Sequence, residues 1–226
     1  MREIHNVLFD LDGTLVDSSA AIRASLTHAL EGLGSRWPED LAVQTVIGMP
    51  LVDIFHERFG LVGEPAERAI ALYRAHYDTE AQAGTRIYDH VETTLRALCD
   101  SGRRLYLATV KPTAVAAKVL REMGLDGYFS GVAGSTVDHS RRDKGEIIRH
   151  ALQRYGLQAP HSVMVGDRDK DIHGARRNGL YAVAVTYGFG SPEELRAAGP
   201  DHLVGCCSEL PGLLPPAGRA GPDPGH

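Results

Sequence analysis

The 226-residue sequence has few cysteines, no long apolar run and no block of like charges. Its three cysteines (Cys99, Cys206 and Cys207) lack C-x-x-C spacing, which disfavours a disulfide framework and a structural zinc site. No stretch approaches the roughly 18 apolar residues of a membrane span, and no signal peptide is expected. A net charge of −5 without clustered Lys and Arg argues against a nucleic-acid partner. We therefore expect a cytoplasmic protein that binds neither nucleic acid nor membranes.

Five short apolar runs predict β-strands, at residues 5–9, 104–108, 129–133, 162–166 and 180–185. The later runs alternate with helices whose ends are readable. One is predicted from Pro112 to Gly124, and another begins after Asp143, which forms a capping box with Glu146. Strands that alternate with helices predict a parallel sheet covered on both faces. The expected fold class is α/β, a Rossmann-like three-layer sandwich.

Residues 18–84 interrupt this alternation, because they contain helical segments (19–33, 39–46, 51–59 and 65–83) and no convincing strand. The segment is too long for a crossover connection, so we expect an α-helical cap inserted into a core of residues 1–17 and 85–210. Its loop Gly48-Met49-Pro50-Leu51 is our candidate for a segment that faces the active site. Residues 211–226 are rich in Pro and Gly, which predicts a disordered tail.

The first predicted strand ends in Asp10-Leu11-Asp12-Gly13-Thr14. Side chains at positions i and i+2 of a strand point the same way, and ligands bind at the carboxyl ends of parallel strands. Asp10 and Asp12 are therefore a carboxylate pair aimed into one crevice, with a sharp backbone turn at Gly13. An arbitrary D-x-D pair is more often a turn cap beside a solvated carboxylate. The full string D-x-D-G-T is expected by chance in on the order of one in several hundred such chains.

Other predicted strand ends add polar groups to this crevice. Thr109 follows the second strand, and Asp167 and Asp171 follow the fourth. Lys144 begins a helix in a chain with only four lysines, which makes a generic surface charge less typical there. Taken singly, Thr109 is more often a strand-end hydroxyl and Asp171 a helix cap. Together these residues predict a crevice with several carboxylates, one hydroxyl and one ammonium group.

These motifs, in this order, resemble the haloacid dehalogenase superfamily over nearly the whole chain, to about residue 210. The stretches Gly166-Asp167-Arg168 and Tyr187-Gly188-Phe189-Gly190 resemble its phosphoglycolate phosphatase-like branch, and within it the 5′-nucleotidase-like group. Residues 18–84 then correspond to a helical C1 cap. One departure is Thr109-Val110-Lys111-Pro112, where that group usually has Thr-Ser-Lys-Pro.

The resemblance implies phosphoryl transfer through an aspartyl-phosphate. Asp10 would be the nucleophile, and Asp12 the general acid and then the general base. Thr109 and Lys144 would bind the phosphoryl oxygens, and Gly13 would be a further substrate contact.

The resemblance also implies Mg²⁺, which would offset the repulsion between carboxylate and phosphate. Its expected ligands are the side chains of Asp10 and Asp167 and the backbone carbonyl of Asp12. Asp171 would support Lys144 or a metal-bound water.

The superfamily includes several activities, which differ in the residues that they require. The dehalogenases need no general acid at the position of Asp12, and phosphonoacetaldehyde hydrolase needs a cap lysine, whereas all four lysines here follow the cap. We expect a phosphatase of a small phosphorylated metabolite, of the phosphoglycolate or nucleoside 5′-monophosphate type, acting as a monomer or homodimer. The alternatives are a sugar phosphomutase of the β-phosphoglucomutase type and a non-catalytic binding module.

Overall fold

A computed structural model describes residues 3–80, 83–136 and 141–214. Within these ranges the chain forms one six-stranded sheet, whose neighbouring strands all pair in parallel. Two further strands form a small antiparallel pair. The strands are β1 (Asn6–Phe9), β2 (Val16–Asp17), β3 (Arg86–Ile87), β4 (Arg104–Pro112), β5 (Phe129–Ser135), β6 (Ser162–Gly166), β7 (Tyr181–Val185) and β8 (His202–Val204).

The order of the main sheet is β5-β4-β1-β6-β7-β8. From β1 the chain moves outward to β4 and β5, and then returns to the other side of β1 with β6. This reversal is a topological switch point, where the loops that follow β1 and β6 part and leave a crevice. Asp10 and Asp167 follow these two strands directly.

Helices cover both faces of the sheet, as the alternation of elements predicts. The helices are α1 (Ser19–Glu31), α2 (Leu51–Phe59), α3 (Glu64–Glu80), α4 (Val91–Asp100), α5 (Thr113–Glu122), α6 (Lys144–Tyr155), α7 (Asp169–Arg177), α8 (Pro192–Ala198) and α9 (Leu210–Leu213). Successive residues of β4 belong to different apolar clusters, Leu105 and Leu107 to one, Tyr106 and Ala108 to the other. Both faces are therefore buried, and the predicted three-layer α/β sandwich is confirmed.

Along the chain, the helices α1, α2 and α3 come between β2 and β3. We call residues 18–84 the helical insert. Its predicted segment at 39–46 is wrong as a helix, because only Val43–Thr45 form a single 3₁₀ turn. Val and Thr restrict their side chains in helices, and eight residues are too few to sustain an isolated helix. The division into a core and a cap stays a prediction.

Two other expectations need correction. The second strand does not end at residue 108, because β4 continues to Pro112 with an irregularity in its pairing with β5. The tail does not begin at residue 211, because α9 includes residues 211–213 and Leu214 is buried. Residues 215–226 of that predicted tail lie outside the described residues. No helix in the described part of the chain is long and apolar enough to cross a bilayer.

Candidate active site

The turn after β1 places the first pair of carboxylates. The Asp10 amide donates to the Val165 carbonyl of β6 at 2.9 Å, which fixes the backbone at the switch point. Gly13 has φ +87°, and a side chain there would clash with the Asp167 carboxylate. Glycine is therefore required on both conformational and steric grounds. Asp10 and Asp12 are both buried, at 3% and 9% exposure.

Lys144 enters the same crevice from the first residue of α6. The Asp143 side chain caps this helix by accepting from the Glu146 amide at 3.2 Å, which is one of the two bonds of the predicted capping box. The Lys144 ammonium lies 2.9 Å from Asp10 Oδ1 and 2.7 Å from Asp171 Oδ1. It also donates to the Ala108 carbonyl of β4 at 3.0 Å. A buried ammonium needs such partners to offset its lost hydration, and the two carboxylates hold the pKa of Lys144 above its ordinary value despite burial.

The predicted hydroxyl also reaches this region. Thr109 is buried and follows Ala108, whose carbonyl Lys144 contacts. It lies within β4 rather than after it, and its hydroxyl accepts from the Lys111 amide at 3.3 Å.

Asp167 and Asp171 complete the crevice from the loop after β6 and the first turn of α7. Asp167 accepts from the Thr14 hydroxyl at 3.2 Å and from the Phe189 amide at 2.8 Å. Burial raises the pKa of Asp167 to about 8, with further contributions from the negative charges of Asp171 and Asp10. Asp171 accepts from the Arg168 amide at 3.1 Å and is bound to Lys144.

The carboxylates of Asp10, Asp167 and Asp171 have oxygen atoms within 4.8 Å of one another, and all three side chains are buried. Only one cation, Lys144, is in contact with this cluster among the described residues. Mg²⁺ prefers oxygen ligands, and these carboxylates supply both the oxygens and a negative charge that one lysine does not neutralise. The residues present therefore fit a magnesium ion, and the raised pKa of Asp167 is what such carboxylates show without a cation.

The Asp12 carboxylate has different partners, which the sequence did not predict. Its oxygens lie 2.8 and 2.9 Å from the Lys111 ammonium, and Oδ1 accepts from the Ser18 hydroxyl at 2.6 Å. Lys111 in turn contacts Tyr77 of the helical insert. In the sequence, Lys111 stands out only as part of the string after Thr109. Its place two residues beyond that predicted site residue, in a chain with four lysines, was the available signal.

Asp12 lies in the wall of a pocket of about 210 Å³ between the helical insert and the core. All four residues of the predicted loop 48–51 line this pocket. The wall is mainly apolar, with Ile22, Val46, Ile47, Met49, Ile54 and Val115 among the lining residues. The loop was therefore placed correctly next to the candidate active site.

Arg168 ties the segment that precedes this loop to the core. Its guanidinium donates to the backbone carbonyls of Gln44 and Ile47, at 3.1 and 3.4 Å, and pairs with Glu194 at 2.9 Å. Arg168 also follows Asp167 directly, so one loop carries both a cluster carboxylate and the contact to the insert.

A family model described as haloacid dehalogenase-like hydrolase matches residues 7–185 of the chain. The chain belongs to this family. Among curated proteins it is 39% identical over 208 residues to a 5′-nucleotidase of Pseudomonas aeruginosa, covering 92% of this chain and 93% of that protein.

A second relative is named tyrosine-protein kinase PtkA, from Mycobacterium tuberculosis, and is 38% identical over 184 residues. This match covers 81% of the chain but only 62% of the kinase. Among solved structures, a predicted phosphatase from Clostridium acetobutylicum superposes with a TM-score of 0.88 at 34% identity, covering 94% of this chain and 98% of that one. Within the haloacid dehalogenase-like family the chain is thus an enzyme of the phosphoric monoester hydrolase type.

Proposed function

We propose that this enzyme hydrolyses a nucleoside 5′-monophosphate in a Mg²⁺-dependent reaction through an aspartyl-phosphate on Asp10. The observation that carries the substrate class is the apolar pocket at Asp12. A two-carbon phosphoglycolate would leave its aliphatic walls without contacts, whereas a nucleoside has a flat, largely apolar base to bury there. The 39% identity to a protein named 5′-nucleotidase supports the same class.

Most of the positive charge around the pocket already has partners within the protein. The three donors of Lys111 already have acceptors, and Arg142 is paired with Asp53 at 2.9 Å. Arg74 is the remaining pocket cation, with no ion-pair partner among the described residues. Both substrate classes carry a phosphate, but phosphoglycolate adds a carboxylate, and Arg74 is the one uncommitted cation among the described pocket residues that could bind it.

The first chemical step forms the covalent intermediate. An oxygen of the Asp10 carboxylate attacks phosphorus while the bond from phosphorus to the nucleoside oxygen breaks. Asp12 gives its proton to that leaving oxygen. Lys144, already 2.9 Å from Asp10, and Thr109 bind the phosphoryl oxygens as charge shifts onto them.

The second step reverses the role of Asp12. Asp12 takes a proton from a water that attacks phosphorus, and the bond to Asp10 breaks, which releases phosphate. Asp10, Asp167 and the Asp12 carbonyl would hold Mg²⁺, which would supply positive charge against the approaching anions. Asp171 holds Lys144 in place.

We further propose that the helical insert acts as a cap over the site. Its contacts with the core include Arg142 to Asp53 and Arg168 to the backbone of residues 44–47. When these contacts hold the insert against the core, the insert covers the substrate and excludes competing water.

Phosphate release tests the proposal directly. The panel contains nucleoside 5′-monophosphates, 2-phosphoglycolate and sugar phosphates, each with and without Mg²⁺, and Asp10→Asn is the matched variant. We expect Mg²⁺-dependent release from the nucleotides, which Asp10→Asn abolishes without loss of fold. Preferred release from phosphoglycolate would overturn the substrate class. Interconversion of sugar phosphates with little release would indicate the phosphomutase, and Mg²⁺ binding without turnover the binding module.

A further inference from the structure

Lys111 is a buried lysine whose ammonium group, among the described residues, contacts the candidate general acid and the helical insert. Its side chain is 8% exposed. An ammonium group has three N–H donors, and each has an acceptor here. The acceptors are Asp12 Oδ1 at 2.9 Å, Asp12 Oδ2 at 2.8 Å and the Tyr77 hydroxyl at 2.9 Å.

These contacts join two parts of the chain that are distant in sequence. Lys111 lies near the carboxyl end of β4, whereas Tyr77 belongs to α3 of the helical insert. The ammonium also lies 4.7 Å from the centre of the Tyr77 ring, within cation–π range. Lys111 is thus held by the insert on one side and holds Asp12 on the other.

Resting on the proposed function, we propose that Lys111 is a positioning residue, which fixes the Asp12 carboxylate and makes its position depend on the docking of Tyr77. Asp12 must place one oxygen within hydrogen-bond reach of the leaving oxygen, and later of the attacking water. With Lys111 on both oxygens and the Ser18 hydroxyl on Oδ1, the side chain cannot rotate freely. A closed insert then aligns the general acid, and an open insert removes one of the three acceptors of Lys111.

The dependence on the leaving group separates this role from a structural one. A nucleoside alkoxide needs protonation to depart, whereas 2,4-dinitrophenolate is stable enough to leave without a proton. The constant kcat/KM reports the steps through departure of the leaving group. Loss of Asp12 positioning should therefore lower kcat/KM for the nucleotide and spare the aryl phosphate.

The decisive experiment compares Lys111→Met with Lys118→Met on both substrates, in the full-length enzyme with Mg²⁺. Lys118 is the matched control, because it also joins the core to α3, donating to the Asp78 carbonyl at 2.6 Å, but has no contact with Asp12. For Lys111→Met we expect kcat/KM on the nucleotide to fall about 10- to 100-fold, within the contribution of a general acid, and to change less than about threefold on the aryl phosphate. Lys118→Met should leave the ratio of the two values unchanged.

Tyr77→Phe is a second variant, should Lys111→Met fail to fold. It keeps the ion pair with Asp12 and removes one acceptor of Lys111, so we expect a smaller loss, about 3- to 10-fold, again confined to the nucleotide. Equal losses on both substrates, or no loss on either, would overturn the positioning role.

Asp12→Asn shows whether the underlying function holds. If it lowers nucleotide turnover selectively while Lys111→Met does not, the positioning role fails and the proposed function stands. If Asp12→Asn shows no such selectivity, the assignment of the general acid itself is wrong. In the Asp12→Asn background, Lys111→Met should add little further loss, because the two residues act as a unit.

Discussion

Replacing Asp167 by Asn should stabilise the metal-free protein while it removes the response to Mg²⁺. Burial and the neighbouring charges of Asp171 and Asp10 raise the pKa of Asp167 to about 8. In the unfolded chain the same carboxyl group titrates near ~3.9. The folded state therefore holds a proton that the unfolded state releases, and the metal-free fold loses stability as pH rises from about 4 to about 8.

The size of the effect on stability follows from the difference between the pKa values of Asp167 in the folded and unfolded states. At pH 7 the cost of keeping Asp167 protonated is about 4 kcal/mol, at ~1.4 kcal/mol per pH unit. Asn removes this cost but cannot accept from both the Thr14 hydroxyl and the Phe189 amide, and losing one such bond costs about 1 kcal/mol. The net gain of about 3 kcal/mol corresponds to a rise in Tm of about 6–12 °C for a chain of this size.

Thermal unfolding at pH 4.5 and pH 7.5, with EDTA or with millimolar Mg²⁺, tests this reasoning. The stabilisation by Asp167→Asn should be small at the lower pH and large at the higher pH, and Mg²⁺ should raise the Tm of the wild type only. Asp100→Asn is the control, because Asp100 is exposed at the end of α4 and its loss should change little. If Asp167→Asn were no more stabilising at pH 7.5 than at pH 4.5, the carboxylate cluster would not be what destabilises the metal-free fold.

Three further changes test other parts of the structure. Gly13→Ala should weaken Mg²⁺ binding at least 10-fold by calorimetry, because its methyl group would displace the Asp167 carboxylate; unchanged affinity would contradict the close approach. Arg168→Ala should raise KM several-fold with little change in kcat, because it releases the segment that leads into loop 48–51 from the core; an equal fall in kcat would place Arg168 in the chemistry instead. Leu210→Ala should lower the free energy of unfolding by about 2–5 kcal/mol in denaturant titration, and a neutral result would show that α9 is not part of the core.

Predictions from the sequence succeeded where local rules govern position. Asp10 and Asp167 directly follow buried parallel strands, and the carboxyl ends of such strands share one edge of the sheet, where the two residues lie close together. The start of α6 was readable from Asp143 and Glu146, and it carries Lys144 into the crevice. The roles of these residues stay predictions until the variants are measured.

One strand was missed and one helix was predicted wrongly because their local sequence signals are weak. The strand β8 has only three residues and owes its place to pairing with β7. The predicted helix at 39–46 failed because its apolar residues pack against the core from a loop with a single 3₁₀ turn, where Val43 and Val46 are buried without an α-helix. Burial of an apolar face does not require regular structure, and periodicity over eight residues cannot distinguish the two.

Lys111 shows a different limit of sequence reasoning. The spacing from Thr109 places Lys111 near the site, but it does not indicate which way the long side chain points. That direction is set by Tyr77, 34 positions away in helix α3, and by the charge of Asp12, 99 positions away. Since those partners meet only once the insert packs on the core, the contact can report whether the insert is docked, which no residue fixed by the sheet alone could do. An enzyme whose general acid is held in this way would protonate a leaving group efficiently only with the insert closed, and this is the behaviour that the comparison of leaving groups measures.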